Sequence, residues 1–153
     1  MNKVFDIILK QRIGLIKLIN SLSIEQLNKI PTGFNNNIIW NAGHLVASVP
    51  SICYRRAGLD IKVDPAFSLA YNARSKPERF ISKDEVENIC RLLISTLEQL
   101  ESDYDNGVFA NYTPWTTYYG IEIRNINDAI SFVPFHEGLH FGIIEAMKKL
   151  VVG

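Results

Sequence analysis

The chain is short of several residue types on which protein chemistry is commonly built. It has two cysteines, Cys53 and Cys90, among 153 residues. They lie within helical patterns and lack a Cys-x-x-Cys spacing, so the sequence offers neither a redox pair nor a zinc ribbon, and both read as buried free thiols. Neither sign of charge is in excess, with 16 Lys and Arg against 16 Asp and Glu. There is no basic surplus to release counterions from a phosphate backbone, and nucleic acid is not an expected partner. Lys10, Arg12 and Lys17 interrupt the apolar residues near the N-terminus, a pattern unlike a signal-peptide core or a membrane span. A cytoplasmic protein without a membrane partner is expected. No internal repeat or low-complexity segment is evident. Histidine is scarce as well, with three in the chain.

With 47% hydrophobic residues, the chain can bury one sizeable core, and residues 1–153 read as a single domain. From about residue 2 to 20, Phe5, Ile8, Ile16 and Ile19 alternate with charges in a helical pattern. Ser23-Ile24-Glu25-Gln26 resembles a capping box for a short helix that should stop at Pro31-Thr32-Gly33. A second long helix is expected from about Asn37 to Ala57, closing at Gly58 and kinked at Pro50. Residues 58–81 hold Asp64-Pro65 and Lys76-Pro77 without a sustained period, and read as a long connection.

Ser82 to Glu85 form another capping-box match, followed by Val86, Ile89, Leu93, Leu97 and Leu100 at helical spacing. A segment rich in aromatics then runs from Asp103 to Ile126 and ends in Ile121-Glu122-Ile123, the pattern of a short hairpin. Asn127 is the expected cap of a last helix reaching about Leu150, with a kink at Pro134. The fold class expected is all-α: a four-helix bundle with long connections and a short hairpin before the last helix.

His136 and His140 are four apart, which puts two imidazoles on one helical face within reach of a common point. His44, on the second long helix, is the remaining histidine and completes a candidate three-imidazole site for a divalent transition metal. Neutral imidazole binds Zn, Ni, Fe and Cu, and zinc or nickel is the expected occupant. The series Phe132, His136, His140, Ile143, Met147, Leu150 would place both imidazoles at core positions. Beside the apolar stripe of the second long helix runs a polar one: Asn37, Asn41, His44, Ser48, Ser51 and Arg55. It suggests a pocket over the metal bordered by Asn41 and Ser48, with Arg55 near its far end, where a small-molecule ligand would bind. No catalytic residue is assignable.

His136-Glu137-Gly138-Leu139-His140 also matches the His-Glu-x-x-His helix of zinc proteases, in which the glutamate is the general base. Those enzymes generally take a third ligand downstream, and only 13 residues follow His140, none of them histidine. Glu145 would lie about 140° around the helix from His140. One residue from His136, Glu137 points about 100° aside, which leaves it either an orienting partner for an imidazole or a solvated or salt-bridged side chain. Gly138 and Gly142 share a face, which allows close approach of a ligand or, the favoured reading, of a neighbouring helix.

Trp40-Asn41-Ala42-Gly43-His44-Leu45 and Phe135-His136-Glu137-Gly138-Leu139-His140-Phe141-Gly142 resemble the two metal-ligand motifs of the DinB-like (DinB/YfiT) superfamily. The resemblance implies a four-helix bundle, often a homodimer, with His44, His136 and His140 as ligands of a divalent metal. It also implies candidate activities, since characterised relatives include S-transferases using low-molecular-weight thiols and a thiol-dependent isomerase. Members often follow the last histidine with x-Gly-Gln, where this chain has Phe141-Gly142-Ile143, so substrate class does not carry over. A thiol-dependent S-transferase acting on small electrophiles, a metal-hydroxide hydrolase and a non-catalytic metal- or ligand-binding stress protein all remain open.

Overall fold

A computed structural model describes residues 3–153. The start expected for the first helix at residue 2 lies outside the described residues. Four long helices carry the fold: α1 (Lys3–Asn20), α3 (Ile38–Cys53), α5 (Lys83–Asp105) and α6 (Ile126–Val152). Two short ones, α2 (Ile24–Asn28) and α4 (Pro65–Ala70), sit in the connections. Strands β1 (Trp115–Thr116) and β2 (Glu122–Ile123) form an antiparallel hairpin, with Trp115 opposite Ile123. The fold is therefore all-α with a minimal hairpin before the last helix. Helices α1 and α3 each pack against both α5 and α6. No helix among the described residues is long and apolar enough to cross a membrane.

The helix starts follow from local chemistry. Ser23 and Ser82 each accept from the backbone three residues on, while Gln26 and Glu85 return the bond, two complete capping boxes. The Asn37 side chain accepts from the Trp40 N–H and fixes the first turn of α3. Other boundaries depart from expectation. The short helix α2 ends at Asn28, before Pro31, because Lys29 is already extended. Helix α3 ends at Cys53, and a 3-10 turn over Arg55–Ala57 leads to Gly58 at φ +70°, where left-handed backbone favours glycine. The connection over 58–81 contains α4, capped by Asp64 with Pro65 in its first turn. The cap of α6 is Asn125, not Asn127: its extended backbone lets its side chain accept from the N–H groups of both Asn127 and Asp128.

Every residue of α3 except Ser51 is buried, which makes α3 the centre of the molecule. The apolar core has two parts. One gathers Leu15, Ile19, Ile38, Leu45, Leu93 and Met147; the other gathers Phe5, Ile8, Val49, Leu97, Ile130 and Val133. Arg12, Thr96 and Glu137 occupy the seam between them. Arg12 and Glu137 are fully buried and paired, with Arg12 Nε 3.0 Å and Nη2 2.5 Å from Glu137 Oε1. Arg12 Nη1 also donates to the Leu93 carbonyl and to Thr96 Oγ1. A charge that interrupts the apolar pattern of α1 in sequence is thus a core residue.

Candidate metal centre

Helix α3 brings His44, and one turn of α6 brings His136 and His140, to a common point. Each imidazole offers a ring nitrogen, and these three atoms lie within 4.8 Å of one another. The ring centroids of His44 are 5.3 Å from His136 and 4.6 Å from His140. His44 is buried, and the other two are half-buried. They stand at the margin of the core: Phe132 and Met147 are buried as the stripe on α6 suggested, but Ile143 and Leu150 of the same stripe are exposed. The cluster therefore has an apolar inner wall and a side that reaches solvent.

Two of the imidazoles are held by partners that fix their tautomer. His44 Nδ1 lies 2.8 Å from the Tyr71 backbone carbonyl oxygen. A carbonyl only accepts, so Nδ1 carries the proton and the lone pair is on Nε2. His140 Nδ1 lies 2.8 Å from Asn41 Oδ1. The amide orientation is set independently, because Asn41 Nδ2 donates to the Asn37 carbonyl and to Asn36 Oδ1. His140 therefore also keeps its lone pair on Nε2. Trp40 stacks on the His44 ring, 5.1 Å between centroids and 7° from parallel, and limits its rotation.

Electrostatics keep the set in ligand form. Burial drives His136 down to about 3, reinforced by the proximity of His140 and His44. Burial and His44 bring His140 down to about 4. Burial also lowers His44, against an opposing effect from the Tyr71 carbonyl. All three are neutral at pH 7, the state in which imidazole coordinates a metal. His136 Nδ1 is buried without a hydrogen-bond partner, an arrangement that ordinarily costs about 1–3 kcal/mol. Three neutral, convergent imidazoles with two orienting acceptors fit a divalent transition metal by donor chemistry and by outer support.

The polar stripe on α3 divides into different roles. Asn37 is the helix cap. Asn41 is fully buried, and its side chain is committed to His140 and to neighbouring protein groups rather than to an open pocket. Ser48 is buried, and its hydroxyl donates to the Leu45 carbonyl. Ser51 and Arg55 line a cleft of about 980 Å³ shared with Asp60, Ser68, Asn72 and Arg74. Glu137 points into the core toward Arg12, so it neither orients an imidazole nor is available as a protease-type base. Glycine packing also differs from expectation: a Cβ at Gly142 would meet nothing within 4 Å, and one at Gly138 would make only an ordinary contact with Gln11.

Several supporting interactions carry little signal in the sequence. Tyr71 acts through a backbone carbonyl, which carries no residue signature. The pairing of Arg12 with Glu137 spans 125 positions, beyond any local pattern. Trp40, one turn before His44, was legible as a neighbour on the same helical face.

Among curated proteins, a sequence search finds no match to this chain. The model of the DinB superfamily matches residues 9–144, a span that takes in all three histidines and Asn41, Tyr71, Arg12 and Glu137. That match covers most of the chain, and the all-α architecture and histidine cluster agree with it: the chain belongs to the DinB superfamily.

Proposed function

We propose that this protein binds one divalent transition metal ion, zinc or nickel, through His44, His136 and His140, and acts as a thiol-dependent S-transferase on small electrophiles. The observation that carries the metal reading is the convergence of three neutral imidazoles, two of them tautomerically fixed by Tyr71 and Asn41. When bound, the ion would supply Lewis-acid chemistry that holds a low-molecular-weight thiol in its reactive thiolate form. The chain itself contributes orientation and partial exclusion of water. Trp40 and the buried residues of α3 close the inner side, while half-buried His136 and His140 leave an approach from solvent.

A ligand occupying the cleft beside the C-terminal end of α3 would meet Ser51 and Arg55, and the Arg55 guanidinium suits an anionic group on the thiol or the electrophile. Of the other two residues proposed as ligand contacts, Ser48 lies one turn beyond His44 on α3, and Asn41 would act through His140. The hydrolase alternative is weaker because Glu137, the carboxylate adjoining a ligand in sequence, is engaged by Arg12. A homodimer is proposed as well. Phe135, Leu139, Ile143 and Leu150 form an exposed apolar strip along α6 beside the ligands.

The test is conjugation of a model electrophile such as monochlorobimane by zinc- or nickel-loaded protein with several low-molecular-weight thiols. Metal-dependent turnover that disappears in His44→Ala supports the transferase. A metal-loaded protein that is inactive with every thiol rejects it and leaves the non-catalytic binder.

A further inference from the structure

In the run Trp40-Asn41-Ala42-Gly43-His44, Trp40 stacks on His44 and Asn41 holds His140, but the glycine has no evident part until the connection over 58–81 is considered. A Cβ at Gly43 would lie 2.4 Å from Tyr71 Cδ1, 2.5 Å from Cε1 and 2.8 Å from Cγ. Real Cβ atoms do not approach carbon this closely. The obstructing atoms belong to the near edge of a rigid ring, so relief would require the whole ring to leave its seat. Tyr71 is also the residue whose carbonyl holds His44 Nδ1. Its own position is fixed at the end of α4, where its N–H donates to the Phe67 carbonyl at 3.2 Å, and its ring packs against Phe67 at 4.6 Å between centroids.

We propose that Gly43 and the Tyr71 ring act together as a positioning device: the missing side chain admits the ring against α3, and the seated ring brings the Tyr71 carbonyl onto His44, so that Nε2 faces the cluster. The glycine beside the ligand is thus required by a residue 28 positions away rather than by the helix. Its consequence for metal affinity rests on the metal-binding reading above. Its consequence for the His44 tautomer is a property of the metal-free protein and does not. Asn41 holds His140 by a separate bond, so the effect should be confined to one of the three histidines.

The experiment combines long-range proton–nitrogen NMR of the histidine rings in metal-free protein with zinc affinity from chelator competition. Three variants are compared with the unmodified chain: Gly43→Ala, Tyr71→Ala and the double variant. The unmodified protein should show His44 as a single Nδ1–H tautomer. Gly43→Ala, which displaces the ring, and Tyr71→Ala, which removes it, should each yield a tautomer mixture at His44 with His140 unchanged. Each should weaken zinc binding about 10–100-fold, the usual scale for loss of an orienting partner. The double variant should be no worse than either single one, because both break the same link. If Gly43→Ala does not fold, Tyr71→Ala alone carries the tautomer test. Retention of a single Nδ1–H tautomer in the folded variants overturns the proposal, as do additive losses in the double variant. Absence of zinc binding in the unmodified protein would reject the metal reading and leave the tautomer result to decide this one.

Discussion

Replacing Glu137 with glutamine tests whether this residue is structural or chemical. Both members of the Arg12–Glu137 pair are fully buried, and the carboxylate receives the guanidinium through both Nε and Nη2. Arg12 Nη1 keeps its bonds to Leu93 and Thr96 in the variant, but its charge loses its counterion in the seam between the two core clusters. Breaking a buried ion pair on one side typically costs about 3–5 kcal/mol. Glutamine retains the shape and one acceptor, so a loss near 3 kcal/mol is expected, and Glu137→Ala should lie nearer 5 because it adds a cavity. Against a domain stability of roughly 5–15 kcal/mol, that is a large share.

The assay is urea denaturation followed by far-UV circular dichroism, with zinc content measured on the same samples. Arg12→Met combined with Glu137→Leu removes both charges and should recover most of the loss, since apolar replacement of a buried pair is often neutral. Zinc content of folded Glu137→Gln should match the unmodified protein. A loss below about 1 kcal/mol would refute the placement of this pair as a core strut. Unchanged stability with abolished activity would instead revive Glu137 as a base.

Other outcomes follow from the same geometry. The depressed pKa values of His44, His136 and His140 mean that below about pH 6.5 the unfolded chain takes up protons that the folded one refuses, so metal-free protein should lose stability as pH falls from 6.5 toward 4. The slope can reach about 1.4 kcal/mol per pH unit for each histidine, and denaturation midpoints that stay flat across this window in comparison with the triple alanine variant would contradict it. Asn41→Ala should reduce zinc affinity about 10–100-fold by releasing His140; equal affinity in competition titrations would show that the bond does not orient the ligand. Burial pushes the Cys53 thiol up to about 12, against an opposing effect of Arg12, so iodoacetamide at pH 8 should leave Cys53 unlabelled in folded protein, and rapid labelling there would be inconsistent with the core described. Leu139→Glu should dissociate a homodimer built on the α6 strip, as read by sedimentation; an unchanged sedimentation coefficient would exclude that face.

Much of the fold was readable because its signals are local. Ser82 and Glu85 cap α5, and Val86, Ile89, Leu93, Leu97 and Leu100, assigned to its inner face by spacing, are all buried. The three histidines were readable as a set because they are the whole inventory and two lie four apart. What escaped depends on distance or on the backbone. Helix α4 is six residues long, too short for a period to emerge, although Asp64-Pro65 carried a cap-and-first-turn signature. Arg12 reads in sequence as a charge interrupting the apolar residues of α1, because its partner is far away in the chain. Helical spacing carries the α6 stripe through Ile143 and Leu150, yet these residues turn outward, since the buried face is centred on Val133, Glu137 and Ile144. Asn125 and Asn127 are cap-type residues two positions apart, and backbone conformation distinguishes the cap.

The most direct test of the central claim is metal content by inductively coupled plasma mass spectrometry on tag-free protein, with the triple variant His44→Ala, His136→Ala, His140→Ala prepared in parallel. About one equivalent of zinc or nickel in the unmodified chain, and none in a folded triple variant, is the result expected of a three-imidazole centre. No metal in the unmodified chain, even after incubation with either ion, or equal metal in both proteins, would contradict it.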